Sequence, residues 1–155
     1  YEQVEVPAQG YLAFAKSGKW GLVDERGAVL APPRYDQISC FSQQYFSIWE
    51  GSRQGLITRD GRIVLAPVAT DIQIEKDSLI CFEQDRKWGA ATPDGVIRVL
   101  PAFNTYQAME HGFIAWYSES GAKAYSMNCR SMITPAFADG FYAFSPRYLL
   151  FKKNR

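Results

Sequence analysis

A step of 34 residues runs through this chain. Gly21, Gly55 and Gly89 stand 34 apart, and each is followed six residues later by a second glycine, Gly27, Gly61 and Gly95. A proline comes next in each copy, Pro32, Pro67, Pro101 and Pro135, at steps of 35, 34 and 34. The apolar pairs ahead of the first glycine keep the same step: Leu12/Phe14, Phe46/Ile48, Ile80/Phe82, Ile114/Trp116 and Tyr148/Leu150. So do the connecting residues, Tyr1, Tyr35, Ala69, Phe103 and Phe137 in one column and Val4, Ile38, Ile72 and Tyr106 in the next. The 155 residues therefore read as one repeat domain, 1–155, with units at about 1–34, 35–68, 69–102 and 103–136 and a half unit at 137–155. The fourth copy is worn, with Ala124 read in place of the first glycine and Arg130 in place of the second. A unit this small cannot bury its own apolar face, so its core must come from stacking on neighbours.

A 34-residue period also belongs to helix-pair repeats, but the local pattern excludes them. Apolar residues alternate with period two, as in Leu12/Phe14 and Ile80/Phe82, and each copy carries a proline that would break a helix. The units read instead as short strands at Tyr11–Lys16, Trp20–Asp24, Ala28–Ala31 and Tyr35–Ser39. Asp60-Gly61 and Asp94-Gly95 are strong turn signals, and the proline is expected to end the strand it closes. The predicted fold is all-β: tandem repeats of short antiparallel strands stacked as an open, solenoid-like array, with a closed, propeller-like ring as the alternative.

Composition narrows the function classes. Apolar residues make up 47% and charged residues 21%, enough for a packed core and against disorder. A net charge of +1 lacks the basic footprint of a nucleic-acid binder. No apolar run is long enough for a transmembrane helix. A chain that starts at Tyr1 reads as a processed or cut form, which leaves a periplasmic, secreted or cytoplasmic setting open. Cys40, Cys81 and Cys129 have no metal-ligand spacing and read as small apolar residues. The one histidine, His111, precedes a glycine in a predicted loop, and there is no nucleophile or phosphate-loop motif. No catalytic residue, metal site or cofactor is expected.

The string from Gly18 to Ile38, with Lys19-Trp20-Gly21, Asp24, Gly27, Pro32 and Tyr35-Asp36, resembles the WG repeat, also called the KWG repeat, of bacterial proteins. The second copy has Gln54 at the Trp position. The third keeps Lys87-Trp88-Gly89 but carries Thr92 and Asn104 at the two acidic positions, and the fourth replaces the Trp-Gly pair by Lys123-Ala124. The resemblance implies a β-rich repeat scaffold used for interaction, in a broad family mostly without assigned activities. It also implies a link to immunity proteins that neutralise secreted toxins. A protein partner, a toxin or effector among the candidates, is the expectation that follows, with saccharide or cell-envelope binding as the alternative.

Glycines at strand and turn positions permit positive φ or close backbone approach, so the motif residues Trp20, Gly21, Gly27, Gly55, Gly61, Trp88, Gly89 and Gly95 read as structural. Trp20 and Trp88 are expected to cover the glycine of a neighbouring strand and to join a shared core. Function is then expected in columns that vary. Strand neighbours alternate faces. The columns through Leu12 and Phe14 are apolar in every copy and read as buried, whereas the opposite face holds Tyr45, Trp49, Glu83 and Tyr117. An aromatic row with one acid has the composition of a protein interface or a sugar-stacking platform. These four residues are the predicted partner-binding site.

Overall fold

The computed structural model describes residues 2–76, 78–118, 121–128, 140–144 and 149–152, the last two stretches as backbone only. The expectations placed on Tyr1, Cys129, Arg130, Pro135, Phe137, Tyr148 and the side chain of Leu150 lie outside the described residues. Among the described residues every regular element is a strand, and no helix is long and apolar enough to cross a membrane. The chain divides into two compact units, Tyr1–Thr70 and Asp71–Arg155.

The first unit holds two four-stranded sheets. One comprises β1 (Gln3–Ala8), β2 (Tyr11–Lys16), β3 (Lys19–Asp24) and β4 (Val29–Tyr35), and the other β5 (Gln37–Cys40), β6 (Tyr45–Glu50), β7 (Arg53–Thr58) and β8 (Ile63–Ala69). The second unit opens with a third such sheet: β9 (Asp71–Glu75), β10 (Leu79–Gln84), β11 (Lys87–Ala91) and β12 (Ile97–Phe103). A three-stranded sheet follows, of β13 (Thr105–Met109), β14 (Gly112–Tyr117) and β15 (Gly121–Ser126), and then the pair β16 (Gly140–Phe144) and β17 (Leu149–Lys152). Within each sheet every strand pairs antiparallel with its sequence neighbours, and among the described residues no sheet closes into a barrel, in keeping with an open repeat array.

Local chemistry sets the turns. The two-residue turn between β10 and β11 places Asp85 (φ 52°) and Arg86 (φ 62°) in the left-handed region, and Ser17 and Gly18 do the same between β2 and β3. That geometry matches the twist of the paired strands. The next turn closes with the N–H of Gly27 donating to Asp24 O (3.0 Å), Gly61 to Thr58 O (3.0 Å) and Gly95 to Thr92 O (2.8 Å). The prolines do not end their strands as the sequence suggests: β4, β8 and β12 run on through Pro32, Pro67 and Pro101. Each is an edge strand, where the missing N–H faces away from the ladder.

Sheets within a unit stack face to face. Ala13, Leu22, Ala31 and Tyr35 of the first sheet form one core with Ile38, Phe46, Ile48 and Ile57 of the second. In the second unit Leu79, Cys81, Ala90, Val99 and Phe103 pack with Phe113, Ala115 and Tyr125.

The last of these residues reveal a register change. In the first three sheets the same cross-strand row recurs: Val4–Phe14–Gly21, Ile38–Ile48–Gly55 and Ile72–Phe82–Gly89. The fourth sheet carries Tyr106–Ala115–Lys123 instead. Lys123, not Ala124, thus occupies the glycine position, which is also where the 34-residue step from Gly89 falls. The Met109↔Gly112 hairpin has two residues between its partners, against three for Glu75↔Leu79. The hairpin on the other side has three, Tyr117↔Gly121, against two for Gln84↔Lys87. The two changes cancel, so β14 alone slips by one residue and all its side chains change face. Phe113 and Ala115 therefore join the core facing the third sheet, where the sequence spacing puts Ile114 and Trp116.

Candidate functional site

The motif glycines exist for close approach. A Cβ on Gly21 would lie 2.7 Å from Phe14 Cζ, one on Gly55 2.5 Å from Leu65 O, and one on Gly89 2.8 Å from Val99 O. The rings that cover Gly21 and Gly89 come from β2 and β10, namely Phe14 and Phe82. No Trp20 or Trp88 atom is among those nearest Gly21, Gly55 or Gly89, and each indole points to the face opposite its own strand neighbour, Gly21 or Gly89. They do join a core: Trp20 packs on the cluster shared by the first and second sheets, and Trp88 meets Tyr106 edge to face at 5.2 Å.

The motif lysine and the acidic position that follows it form a clamp between successive sheets. Lys19 Nζ donates to Asp36 Oδ1 at 2.5 Å, while Asp36 Oδ2 accepts the N–H of Gly51 (2.6 Å) in the β6–β7 turn. These two bonds, the lysine first, hold the Asp36 carboxyl below its ordinary range. The second unit repeats the device without the charge: Lys87 Nζ donates to Asn104 Oδ1 (2.9 Å), which also accepts the N–H of Ser118 (3.0 Å). Glu2 occupies the same column and accepts the N–H groups of Ser17 (2.9 Å) and Gly18 (3.1 Å), which lower its pKa. Asp24 likewise serves a turn, accepting from the N–H groups of Arg26 and Ala28. His111 lies in the β13–β14 turn, with Nε2 3.9 Å from Glu110 Oε2.

The four predicted partner-binding residues differ in burial. Tyr45 is buried, at 4% exposure. Trp49 is half-buried, opposite Gln37 and Gln54 in the second sheet. Glu83 is half-buried in the third sheet, opposite Asp71 and Trp88. The slip of β14 removes Tyr117 from the Glu83 column. It packs on the second-unit core, 6.1 Å from the Phe103 ring, and its hydroxyl is 2.7 Å from that of Tyr125. Tyr45 and Trp49 belong to the first unit, and Glu83 and Tyr117 to the second.

A different column is presented to solvent. Val29, Ile63 and Ile97 open the fourth strand of three successive sheets and are all exposed. In the first unit the Gly61 turn rests on the backbone of Leu30, where a Cβ would meet Leu30 O at 2.3 Å, and so sets Ile63 beside the start of β4. The β-branched aliphatics at a 34-residue step were legible, but an apolar column in a strand reads as core until the stacking is known. Leu100, on the third of these edge strands, is exposed as well.

No curated protein matches the chain. Among solved structures, the computationally designed Ika8 protein is similar over 96% of this chain and 54% of its own, with 9% identity and a TM-score of 0.37, so this chain spans about half the length of that one. Residues 20–48, which run from Trp20 through the Asp36 clamp to Ile48, match the family described as "WG containing repeat".

Proposed function

We propose that this chain is a non-enzymatic protein-binding module, of the kind that serves as a scaffold or neutralises a toxin. One observation carries the reading: among the described residues, every exposed large apolar side chain is aliphatic. A saccharide platform needs accessible ring faces, whereas flat aliphatic surface is the ordinary material of protein contacts. In the first unit the repeated Val29 and Ile63 column supports a partner that reads successive repeats. The acids Glu2, Asp24 and Asp36 serve turns and clamps, which accounts for them without chemistry.

The test is capture from lysate and secreted fractions with the full chain as bait, followed by calorimetry with the purified captured protein. The double variant Val29→Glu with Ile63→Glu is the control. A stoichiometric partner bound by the wild-type chain and lost with the variant supports the reading, and a toxin in that role specifies it. Binding that ignores the variant, or glycan binding with no protein partner, overturns it.

A further inference from the structure

Leu100 departs from the repeat. β12 arches over Gly89, so that Leu100, Pro101 and Ala102 together stand opposite that one glycine, between the Trp88↔Phe103 and Ala90↔Val99 pairs. β4 and β8 make the same arch over Gly21 and Gly55, and there Pro32 and Ala66 hold the place of Leu100. Leu100 is 74% exposed, the most of any large apolar side chain among the described residues. With Pro101, Gln84, Asp85 and Lys87 it lines an open depression of about 370 Å³. That volume lies at the low end of small-ligand sites.

The charges beside it are also specific to this copy. Lys87 is half-buried, and its Nζ donates to Asn104 Oδ1, a neutral oxygen, where the equivalent Lys19 meets the Asp36 carboxylate. The bond to an amide leaves the ammonium charge uncancelled. Arg86 follows Asp85 in the β10–β11 turn, and Arg98 stands two residues before Leu100 on β12; both are exposed. The two segments that form the depression thus carry three cations, Arg86, Lys87 and Arg98, against one acid, Asp85.

We infer that this depression binds a carboxylate carried on a branched apolar group, the chemistry shared by the free end of a peptide chain and a short branched-chain acid. The Lys87 ammonium takes the carboxylate, and Leu100 with Pro101 takes the apolar group. One charge-assisted bond and one small apolar contact give weak binding, with a Kd of about 1 mM.

Titrations of the full chain followed by NMR chemical shifts test this with three probes: N-acetylglycyl-leucine, its C-terminal amide, and isocaproate. The peptide acid is expected to bind, and the amide to bind about tenfold more weakly, since it offers the ammonium no charge. Isocaproate binding as well as the peptide acid assigns the site to short acids, and weaker binding assigns it to a chain end. Lys87→Gln still has a donor for Asn104 but no charge, and is expected to weaken the acids about tenfold. Leu100→Ala installs the residue of the second copy and is expected to weaken them about fivefold, with melting unchanged. Asp85→Asn, a residue that tolerates the left-handed backbone at this position, is expected to tighten them. No binding of either acid up to about 20 mM, an amide that binds like the acid, or binding indifferent to both Lys87→Gln and Leu100→Ala would overturn the inference. The Val29→Glu with Ile63→Glu variant is expected to bind the acids like wild type, so failure here leaves the partner-binding reading standing.

Discussion

Ala115 stands directly opposite Lys123 across the fourth sheet, at the place where each earlier sheet sets Phe14, Ile48 or Phe82 against a glycine. The two changes compensate. A ring can lie across a strand only where the facing residue has no side chain, as Phe14 does on Gly21. Once the glycine has become Lys123, a large partner has no room, and the slip of β14 supplies alanine. The Lys123 ammonium then sits 5.6 Å from the Tyr125 ring centre. Register and composition have shifted together, which is how a worn copy still closes its core.

The glycines of this row are expected to be intolerant. Gly55→Ala puts a methyl against the backbone of Leu65 and Ala66, which cannot move aside as a side chain can. The expected loss is about 3 kcal/mol in urea unfolding. Gly18→Ala is the contrast: its φ is +71° but nothing lies near its Cβ, so it should cost only about 1 kcal/mol, the conformational penalty alone.

Asp36 should contribute to the acid limb of stability. Its pKa is lowered in the folded chain, first by Lys19 and then by the N–H of Gly51. Its contribution is therefore complete above the unfolded value of about 4 and disappears as pH falls through the lower folded value. Asp36→Asn keeps an acceptor for the turn and for Lys19, as Asn104 does for Lys87. Its stability should vary less than wild type below about pH 4, measured by urea melts at stepped pH.

Tyr117→Phe is expected to cost about 1 kcal/mol, the value of the hydroxyl bond with Tyr125, with the ring left in place. The same substitution should leave partner capture intact, because the ring packs inward on Phe103. Loss of capture without loss of stability would put Tyr117 back among the contact residues.

Arg59 ties the β5–β6 loop to the first-unit core. Its guanidinium lies 4.1 Å from the Phe46 ring centre and 5.3 Å from that of Tyr11, and donates to Ser42 O (2.6 Å) and Gln43 O (3.0 Å). Arg59→Ala should cost about 2 kcal/mol. Arg59→Lys should recover little, since an ammonium cannot stack and bridge two carbonyls at once. Thermal melting of the two variants checks both statements.

By itself the sequence determined the repeat, its 34-residue step, the strands, the turn glycines and the WG resemblance. All of these rest on local periodicity, and periodicity is written along the chain. The cover on Gly21 is not among them: the sequence points to Trp20 and Trp88 for the glycine cover, and the structure puts Phe14 there. Two further things were decided only in the tertiary structure. The step could not show that β14 slips, because the slip arises from two turn lengths that cancel and leave the repeat length unchanged. Nor could it tell that Tyr45 is buried while Ile63 faces solvent, because exposure depends on which sheet lies across from a strand.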